Sequence, residues 1–428
     1  MILVILPHQL YNIKILPKNI NEIIIWEHPH YFKSYNFNKK KLILHRASMK
    51  YYYDLLKEHK YNVHYIEYND KINIKNDYFI FDPIDKIKLP HNYTMIESPN
   101  FLLTKEHYKE FKPSNRIIFN NFYLWAKNKL NLYPQLKSMD KMNRNIYKDS
   151  YIPPIPNISK EDEYYIKEAI KYVEKHFPKN YGNSDNFNYP VTHKTALKWL
   201  KHFIKYKFKK FGPYQDFIRK NENYMFHSIL SSSLNIGLLN PDMIIREINK
   251  IKKYIPINSF EGYIRQLFWR EYQRYNYIYT NFNKNYFGNR KKLTKEWYTG
   301  TLNIEPVDDA IKSGFDTGYL HHIIRLMVVG NFMNISNIHP HEGFKWFMEF
   351  AIDSYEWVMH QNVLDMVFFV TGGHTMTRPY ISSSNYILKM SNYKSNTEWA
   401  NKWNNLYYKF IKNHRKKLYK YRYYFPNL

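Results

Sequence analysis

MILVILPHQL, residues 1–10, decides how the fold begins. Its apolar run is short, no basic residue precedes it, and a bilayer span needs about 20 such residues. It therefore reads as a buried strand and not as a signal peptide. Similar runs recur at Ile23–Trp26, Leu42–Leu44 and Tyr78–Phe81. Tyr61–Tyr68 alternates, with Val63 and Tyr65 on one face and Ile66 on the other, and Thr94–Glu97 reads as another strand. Ser48–Lys60 reads as a helix between two of these strands. Strands separated by helical crossovers predict a parallel sheet covered on both faces. Neither GxGxxG nor GxxxxGK[ST] occurs, so an adenine-dinucleotide Rossmann site and a P-loop are unsupported.

Further along, the texture changes. PPIPN (Pro153–Asn157) breaks the chain, a helix is expected over Glu161–His176, and Phe177–Pro190 is a polar loop. Beyond Thr192 the pattern is helical. Ala196, Leu200, Phe203 and Ile204 share one helix face, and Ile264, Leu267 and Phe268, then Phe344, Phe347 and Ala351, repeat the pattern. A chain of 428 residues accommodates two or three domains. The expected organisation is an α/β domain over 1–124, a linker with a helix over 125–190, and an all-helical domain over 191–428. There are no internal repeats.

Lys and Arg number 64 against 37 Asp and Glu, a net charge of +27, which points to a polyanion: nucleic acid before a membrane surface. The abundance of Lys, Asn, Ile and Tyr fits a nucleotide-composition bias as well. With 43 tyrosines, many aromatic rings must sit at the surface or line a cavity. Cysteine is absent, which removes disulfides, thiolate zinc sites, ordinary iron–sulfur clusters and cysteine nucleophiles. An intracellular, DNA-accessible and membrane-free location is expected.

Four strings carry candidate chemistry. FGPYQD (Phe211–Asp216) reads as a Gly-Pro turn before a helix, followed by FHSILSSSLNIGLL (Phe226–Leu239). There Ser228, Ser231, Ser232 and Asn235 have the spacing to hold phosphate or ribose oxygens, or to cap and coat a helix. FEGYIRQLFWREYQRYNY (Phe260–Tyr277) sets Glu261, Arg265, Arg270, Glu271 and Arg274 among aromatics. An arginine beside a core-facing stripe wants an anion or a buried carboxylate. The local alternative is ion pairing of Glu261 with Arg265 and of Glu271 with Arg274. In GYLHHIIRLMVVGNF (Gly318–Phe332), His321 and His322 point about 100° apart on a helix. One can face a cavity as a proton donor while the other packs, and no metal is expected since the spacing to His339 or His341 matches no common zinc site. In FVTGGHTMTRPYISSSNYILKM (Phe369–Met390), Tyr380 and Tyr386 stand in a Ser- and Asn-rich loop, able to stack on a base or to pack that loop.

Taken together with LPHQL (Leu6–Leu10), SPNFL (Ser98–Leu102), REY (Arg270–Tyr272), WYTG (Trp297–Gly300), YEWV (Tyr355–Val358) and RPYISSSNY (Arg378–Tyr386), these strings resemble the cryptochrome/photolyase superfamily. The likeness is specifically to its prokaryotic branch of (6-4) photolyases and related cryptochromes, which normally carries an iron–sulfur cluster. The resemblance spans nearly the whole chain. It implies an α/β antenna-type domain with a parallel sheet, then an all-helical FAD-binding domain. It also implies light-driven repair of UV-damaged DNA. Tyr214, His227, Ser228, Ser231, Asn235 and Leu238 match cofactor positions. Glu261, Arg265, Trp269 and Glu271 match the region leading into the pocket. His322 matches the histidine beside the lesion, with His321 its neighbour. Tyr380 and Tyr386 match lesion-side tyrosines, and Trp346 and Tyr298 match electron-route positions. A ribolumazine-type antenna is common in the branch.

The departures are specific. Pro306, Lys394, Thr397 and Asn401 stand where the branch has cluster cysteines, so no iron–sulfur cluster is expected, and Trp399, Trp403 and Tyr407 are candidates to hold that region by packing. Phe347 replaces a tyrosine of the electron route and Tyr298 a tryptophan. Met359 replaces a glutamate near the flavin, and Thr371 replaces the aspartate of FADGG. These losses leave two alternatives open: a cryptochrome-type blue-light photoreceptor without repair, and a flavin-free DNA-binding relative.

Overall fold

β1 (Ile2–Ile5) is the centre of a five-stranded sheet completed by β2 (Glu22–Trp26), β3 (Val63–Ile66), β4 (Tyr78–Phe81) and β5 (Tyr93–Ile96). The strand order is β3-β2-β1-β4-β5, all parallel, with Val4 opposite Ile24 on one side and Ile80 on the other. Leu3, Val4, Ile5, Ile23 and Ile25 are buried, as a sheet covered on both faces requires. The computed structural model describes residues 1–428 except 114, 396, 426 and 427.

One expected strand is a helix. Leu42–Leu44 lies inside α1 (Lys39–Glu58), which also absorbs most of the helix expected at Ser48–Lys60. Asn38 starts α1 early, its side-chain oxygen accepting the Lys40 N–H at 2.9 Å. A short apolar run buried on all sides looks the same in a helix as in a strand.

α2 (Phe119–Lys129) runs across residue 124, and α3 (Lys160–His176) packs along α1. A capping box starts α3: Ser159 Oγ accepts the Asp162 N–H at 3.2 Å, and Asp162 accepts the Ser159 N–H at 3.0 Å. Asp162 also accepts the N–H groups of Val191 and Thr192 at 2.9 and 3.1 Å, which ties α3 to the start of the helical part.

From there the chain is mostly helical: α4 (His193–His202), α5 (Phe208–Tyr214), α6 (Ser231–Asn235), α7 (Ile257–Tyr279), α8 (Glu305–Thr317), α9 (Pro340–Phe350), α10 (Glu356–Met359) and α11 (Glu398–Asn413). Three π-helical stretches, Phe203–Lys207, Ile324–Gly330 and His360–Val367, lie among them. Gly212 and Pro213 do not form the expected turn before a helix; they end α5. A Cβ on Gly212 would stand 2.5 Å from the Ser259 nitrogen, so glycine is what lets α5 meet α7.

α7 joins the two parts. Arg274, fully buried, bonds Asp82 beyond β4 at 2.9 Å and the Leu103 carbonyl at 3.0 Å. Glu271 accepts the N–H groups of Leu102 and Leu103 at 2.9 and 3.2 Å. The Glu271–Arg274 pair suggested by helical spacing is therefore replaced: each partner is taken by the α/β part. The Glu261–Arg265 pair does form, at 3.6 Å. Among the described residues no helix is long and apolar enough to cross a membrane.

Candidate active site

A cavity of about 1200 Å³ opens in the helical part. α7 supplies one wall with Arg265, Trp269 and Arg270. Trp269 is fixed by Phe119 of α2, stacked at 3.9 Å and 7°. Arg270 lies over the rings of Phe101 and Trp357, at 4.3 and 4.9 Å. Its Nε reaches Asn235 Oδ1 at 3.4 Å and its Nη1 donates to the Asn100 carbonyl, while Nη2 has no partner. Burial pushes this guanidinium down to about 10, with Arg274 adding to the effect and Glu271 opposing it. A buried cation with an unfilled donor attracts an anion.

The segment before and through α6 forms the facing wall, where His227, Ser228, Ser231 and Asn235 all line the cavity. Between them, Ile229 has φ +55°, a left-handed conformation strained for a β-branched residue. Asn235 donates to the Asp353 carbonyl at 2.8 Å. Asp353 in turn pairs with Arg325, at 2.9 and 3.2 Å. Burial works against ionisation of Asp353, but the Arg325 charge and its hydrogen bonds outweigh it and hold the carboxyl below its ordinary value. Neither Arg325 nor Asp353 was among the residues singled out from the sequence. The signal for Arg325 was present, an arginine within the apolar string IIRLMVV, the same pattern that drew attention to α7.

Three imidazoles meet here. His227 and His321 stack at 4.6 Å and 15°, and His227 Nε2 and both His321 nitrogens lack partners. Burial pushes His227 down to about 3 and His321 well below the ordinary range, so the stack is of neutral rings. His322 is exposed and lines the cavity. Desolvation, with the charges of Arg325 and Arg265 behind it, brings its imidazole to about 4.

Tyr380 and Tyr386 line the outer cavity with Arg378, Lys389, Lys141 and Arg144. Asp216 lies there too, 3.5 Å from Arg144, and burial raises its carboxyl to about 6.

Other residues singled out from the sequence lie elsewhere. Tyr214 packs on Tyr147 and Phe226, and Leu238 is core. Glu261 accepts from the Tyr123 hydroxyl and the Met139 N–H, at 3.2 and 3.0 Å. Glu271 is occupied as described above. Trp346 is fully buried behind Phe347, 5.1 Å from it ring to ring, and Phe347 is the residue that lines the cavity. Tyr298 bonds Glu349 at 3.0 Å and stacks on Tyr181 at 4.7 Å.

The unpaired atoms test what fits. Arg270 Nη2, His227 Nε2 and Gln215 Oε1 belong to lining residues, are buried and have no hydrogen-bond partner. Such a set fits a large ligand carrying both anionic and hydrogen-bonding groups, as FAD does. In open α/β sheets ligands enter outside the carboxyl ends of the strands where the order reverses, here between β1 and β4. Beside that point Gln9 donates to the Phe81 carbonyl at 2.7 Å and His8 bonds the Pro83 carbonyl at 3.0 Å.

Residues 3–87 and 76–189 match the family described as deoxyribodipyrimidine photo-lyase-related protein. A (6-4) photolyase of Agrobacterium fabrum is 34% identical over 267 residues, 59% of this chain and 53% of that protein. The chain thus spans about half the length of that relative. The uncharacterized protein R855 of Acanthamoeba polyphaga mimivirus is 56% identical over 85 residues, 20% of this chain and 69% of that protein. The crystal structure of a bacterial class III photolyase from Agrobacterium tumefaciens superposes with a TM-score of 0.58 at 13% identity, covering 97% of this chain and 91% of that one. The fold is that of photolyases and cryptochromes, and the photolyase-related match lies within residues 3–189.

The chain has no cysteine, hence no thiolate for an iron–sulfur cluster. Among the described residues no group of three or more His, Asp or Glu is arranged to hold a metal. Pro306 is buried in the first turn of α8, and Lys394 and Thr397 lie just before α11. Packing holds this region together. Tyr393 donates to Asp309 at 3.0 Å, Trp399 and Trp403 lie 6.4 Å apart, and Trp403 meets Phe332 at 5.0 Å.

Proposed function

We propose that this chain is an FAD-dependent photolyase that uses light to repair (6-4) pyrimidine photoproducts in DNA. The observation that carries the reading is one cavity holding His322, Tyr380 and Tyr386 together with a wall of unpaired buried polar atoms. When bound, FAD supplies the light-excited electron. Arg270, Asn235, Ser228, Ser231 and His227 would hold its polar groups, and Trp269 would close the apolar side.

A damaged nucleotide turned out of the duplex costs a few kcal/mol, less than an intact one because it stacks badly. Tyr380 and Tyr386 offer ring faces to it, and Lys141, Arg144, Arg378 and Lys389 attract the flanking phosphates. His322 hydrogen-bonds and protonates the lesion through its imidazole N–H. Without DNA the ring is neutral at pH 7. A phosphate arriving within about 4–6 Å favours the charged form, so substrate itself raises the proton affinity of the group that must donate. Trp346 and Tyr298 serve as electron relays toward the surface.

The test is His322→Ala in flavin-loaded protein, with light-dependent loss of a defined (6-4) lesion followed by chromatography. The expected result is retained flavin and abolished repair. Normal repair by the variant overturns the role. A second reading, a blue-light photoreceptor without repair, is favoured by apolar Met359 and Phe347 on the cavity wall. Photoreducible flavin without lesion loss in the unaltered protein would select it, and protein that binds no flavin would leave a DNA-binding relative.

A further inference from the structure

Residues 399–428 contain eight Lys and Arg and no Asp or Glu. α11 opens this segment as an amphipathic helix. Trp399, Trp403, Tyr407 and Phe410 are buried, while Tyr408, Lys409 and Lys412 are exposed on the other side. Leu418, Tyr421 and Phe425 continue the buried face. Tyr421 anchors the end by donating to the Gly372 carbonyl at 3.0 Å, in the loop that leads to Tyr380.

The exposed tyrosines are concentrated here. Four of the ten exposed among the described residues lie between 408 and 424: Tyr408 at 50%, Tyr419 at 61%, Tyr423 at 90% and Tyr424 at 44%. Tyr408 and Tyr424 also line the cavity mouth, and Arg378 lies over the Tyr424 ring at 4.5 Å. Exposed rings interleaved with cations beside the cavity are suited to unstacked bases and their phosphates.

We propose that this C-terminal segment is a single-strand grip. It holds the unpaired stretch beside the turned-out nucleotide, with phosphates on Lys409, Lys412 and Lys416 and bases on Tyr419 and Tyr423. The proposal rests on the DNA reading above and goes beyond it, because those side chains lie outside the residues that line the cavity. A membrane surface suits the segment less well. Membrane-surface helices insert a free apolar face, and here that face is already buried against the protein.

The test measures binding of the full-length protein to fluorescein-labelled (dT)20, to an undamaged duplex of equal length and to phosphatidylserine vesicles across a salt series. Lys409, Lys412 and Lys416 are exposed and make no hydrogen bond or ion pair among the described residues, so K409A/K412A/K416A should fold normally. That triple variant should flatten the slope of log K against log salt on (dT)20 by about 2, at about 0.7 per phosphate. Y419A/Y423A should weaken (dT)20 binding at least tenfold, the scale of losing base stacking, and weaken the duplex less. Unaltered protein that binds DNA while both variants bind equally well overturns the grip alone. Equal losses on single strand and duplex from the tyrosine variant overturn its single-strand character. Preference for vesicles over DNA overturns it in favour of a membrane. Unaltered protein that binds no DNA overturns the repair reading, and the grip with it.

Discussion

Arg325 and Asp353 face each other at the cavity wall, Nη1 donating to Oδ1 at 2.9 Å and Nη2 to Oδ2 at 3.2 Å. Arg325 Nε also donates to the Leu320 carbonyl at 2.6 Å, and Asn235 donates to the Asp353 backbone. The pair therefore joins the 318–330 segment, α6 and the chain before α10. Removing one partner leaves the other charge largely buried, which costs about 3 kcal/mol. Asp353→Asn is expected to lower the thermal unfolding midpoint and to release flavin on gel filtration. Arg325→Lys keeps the charge but loses the fork, and should fall between Asp353→Asn and the unaltered protein. An unchanged midpoint and unchanged flavin content in both variants would remove the pair from this role.

Stability should fall steeply in mild acid. Burial brings His8, His227 and His360 to about 3 and His28, His30, His193 and His322 to about 4. A group whose folded value is depressed contributes stability that is complete above its ordinary value of about 6.5 and is lost as pH falls toward the folded value. Between those limits the unfolded chain binds more protons at each of these sites, and His45, His202, His321, His341 and His414 are lowered as well. Asp85, raised by burial and by Glu356 to about 8, Asp216, raised by burial to about 6, and Glu271, Glu349, Glu356 and Asp365, raised by burial, act in the opposite sense. Twelve imidazoles against six carboxyls make the net direction destabilising. The unfolding midpoint, measured from pH 6.5 down to 4 at fixed ionic strength, should drop throughout; a flat or rising profile contradicts the assignment of these imidazoles as buried and neutral.

What could be read from the sequence depended on how far apart the partners lie. Ser228, Ser231, Ser232 and Asn235 are within two turns, so spacing alone grouped them, and all but Ser232 line the cavity. Arg325 and Asp353 lie 28 residues apart with no shared string, and only folding makes them a pair. Glu271 and Arg274 misled for the opposite reason. Helical spacing allows them to pair, but their shared helix face is buried against the α/β part, where Leu102, Leu103 and Asp82 compete successfully. Leu42–Leu44 was ambiguous because both a strand and a fully buried helix present three apolar residues in a row. The alternation of strands and crossovers was unambiguous, and the sheet follows it.

Tyr298 and Glu349 form a second half-hidden pair, at 3.0 Å. Burial raises the Glu349 carboxyl, while Lys345 and the hydrogen bonds from Tyr298 and the Asn36 N–H hold it down. Tyr298→Phe keeps the stack on Tyr181 but takes away the hydroxyl. A buried acceptor left short of a donor costs about 1–3 kcal/mol. The variant should be destabilised within that range by urea titration, and Y298F/E349Q should recover part of the loss, since the amide avoids a buried charge. No recovery in the double variant would mean that the hydroxyl matters for packing rather than for Glu349.

Trp403 ties the C-terminal helix to the loop that carries Tyr380 and Tyr386. It is fully buried, meets Phe332 at 5.0 Å, and donates from Nε1 to the Ser382 carbonyl at 3.0 Å. Ser382 lines the cavity between Tyr380 and Tyr386, and its carbonyl also accepts from Asn331 at 3.1 Å. Trp403→Ala empties a large side-chain volume and should cost about 3–5 kcal/mol. Trp403→Phe keeps most of that volume and leaves the Ser382 carbonyl one donor, so its loss should be nearer 1 kcal/mol. The two variants separate support from chemistry, because neither touches His322. If the packed tryptophan positions the tyrosine loop, W403A should lower lesion binding along with its unfolding midpoint, while W403F stays close to the unaltered protein in both. A W403A protein that unfolds earlier yet binds lesion DNA as tightly as before, measured well below its midpoint, would show that the loop holds its shape without this ring.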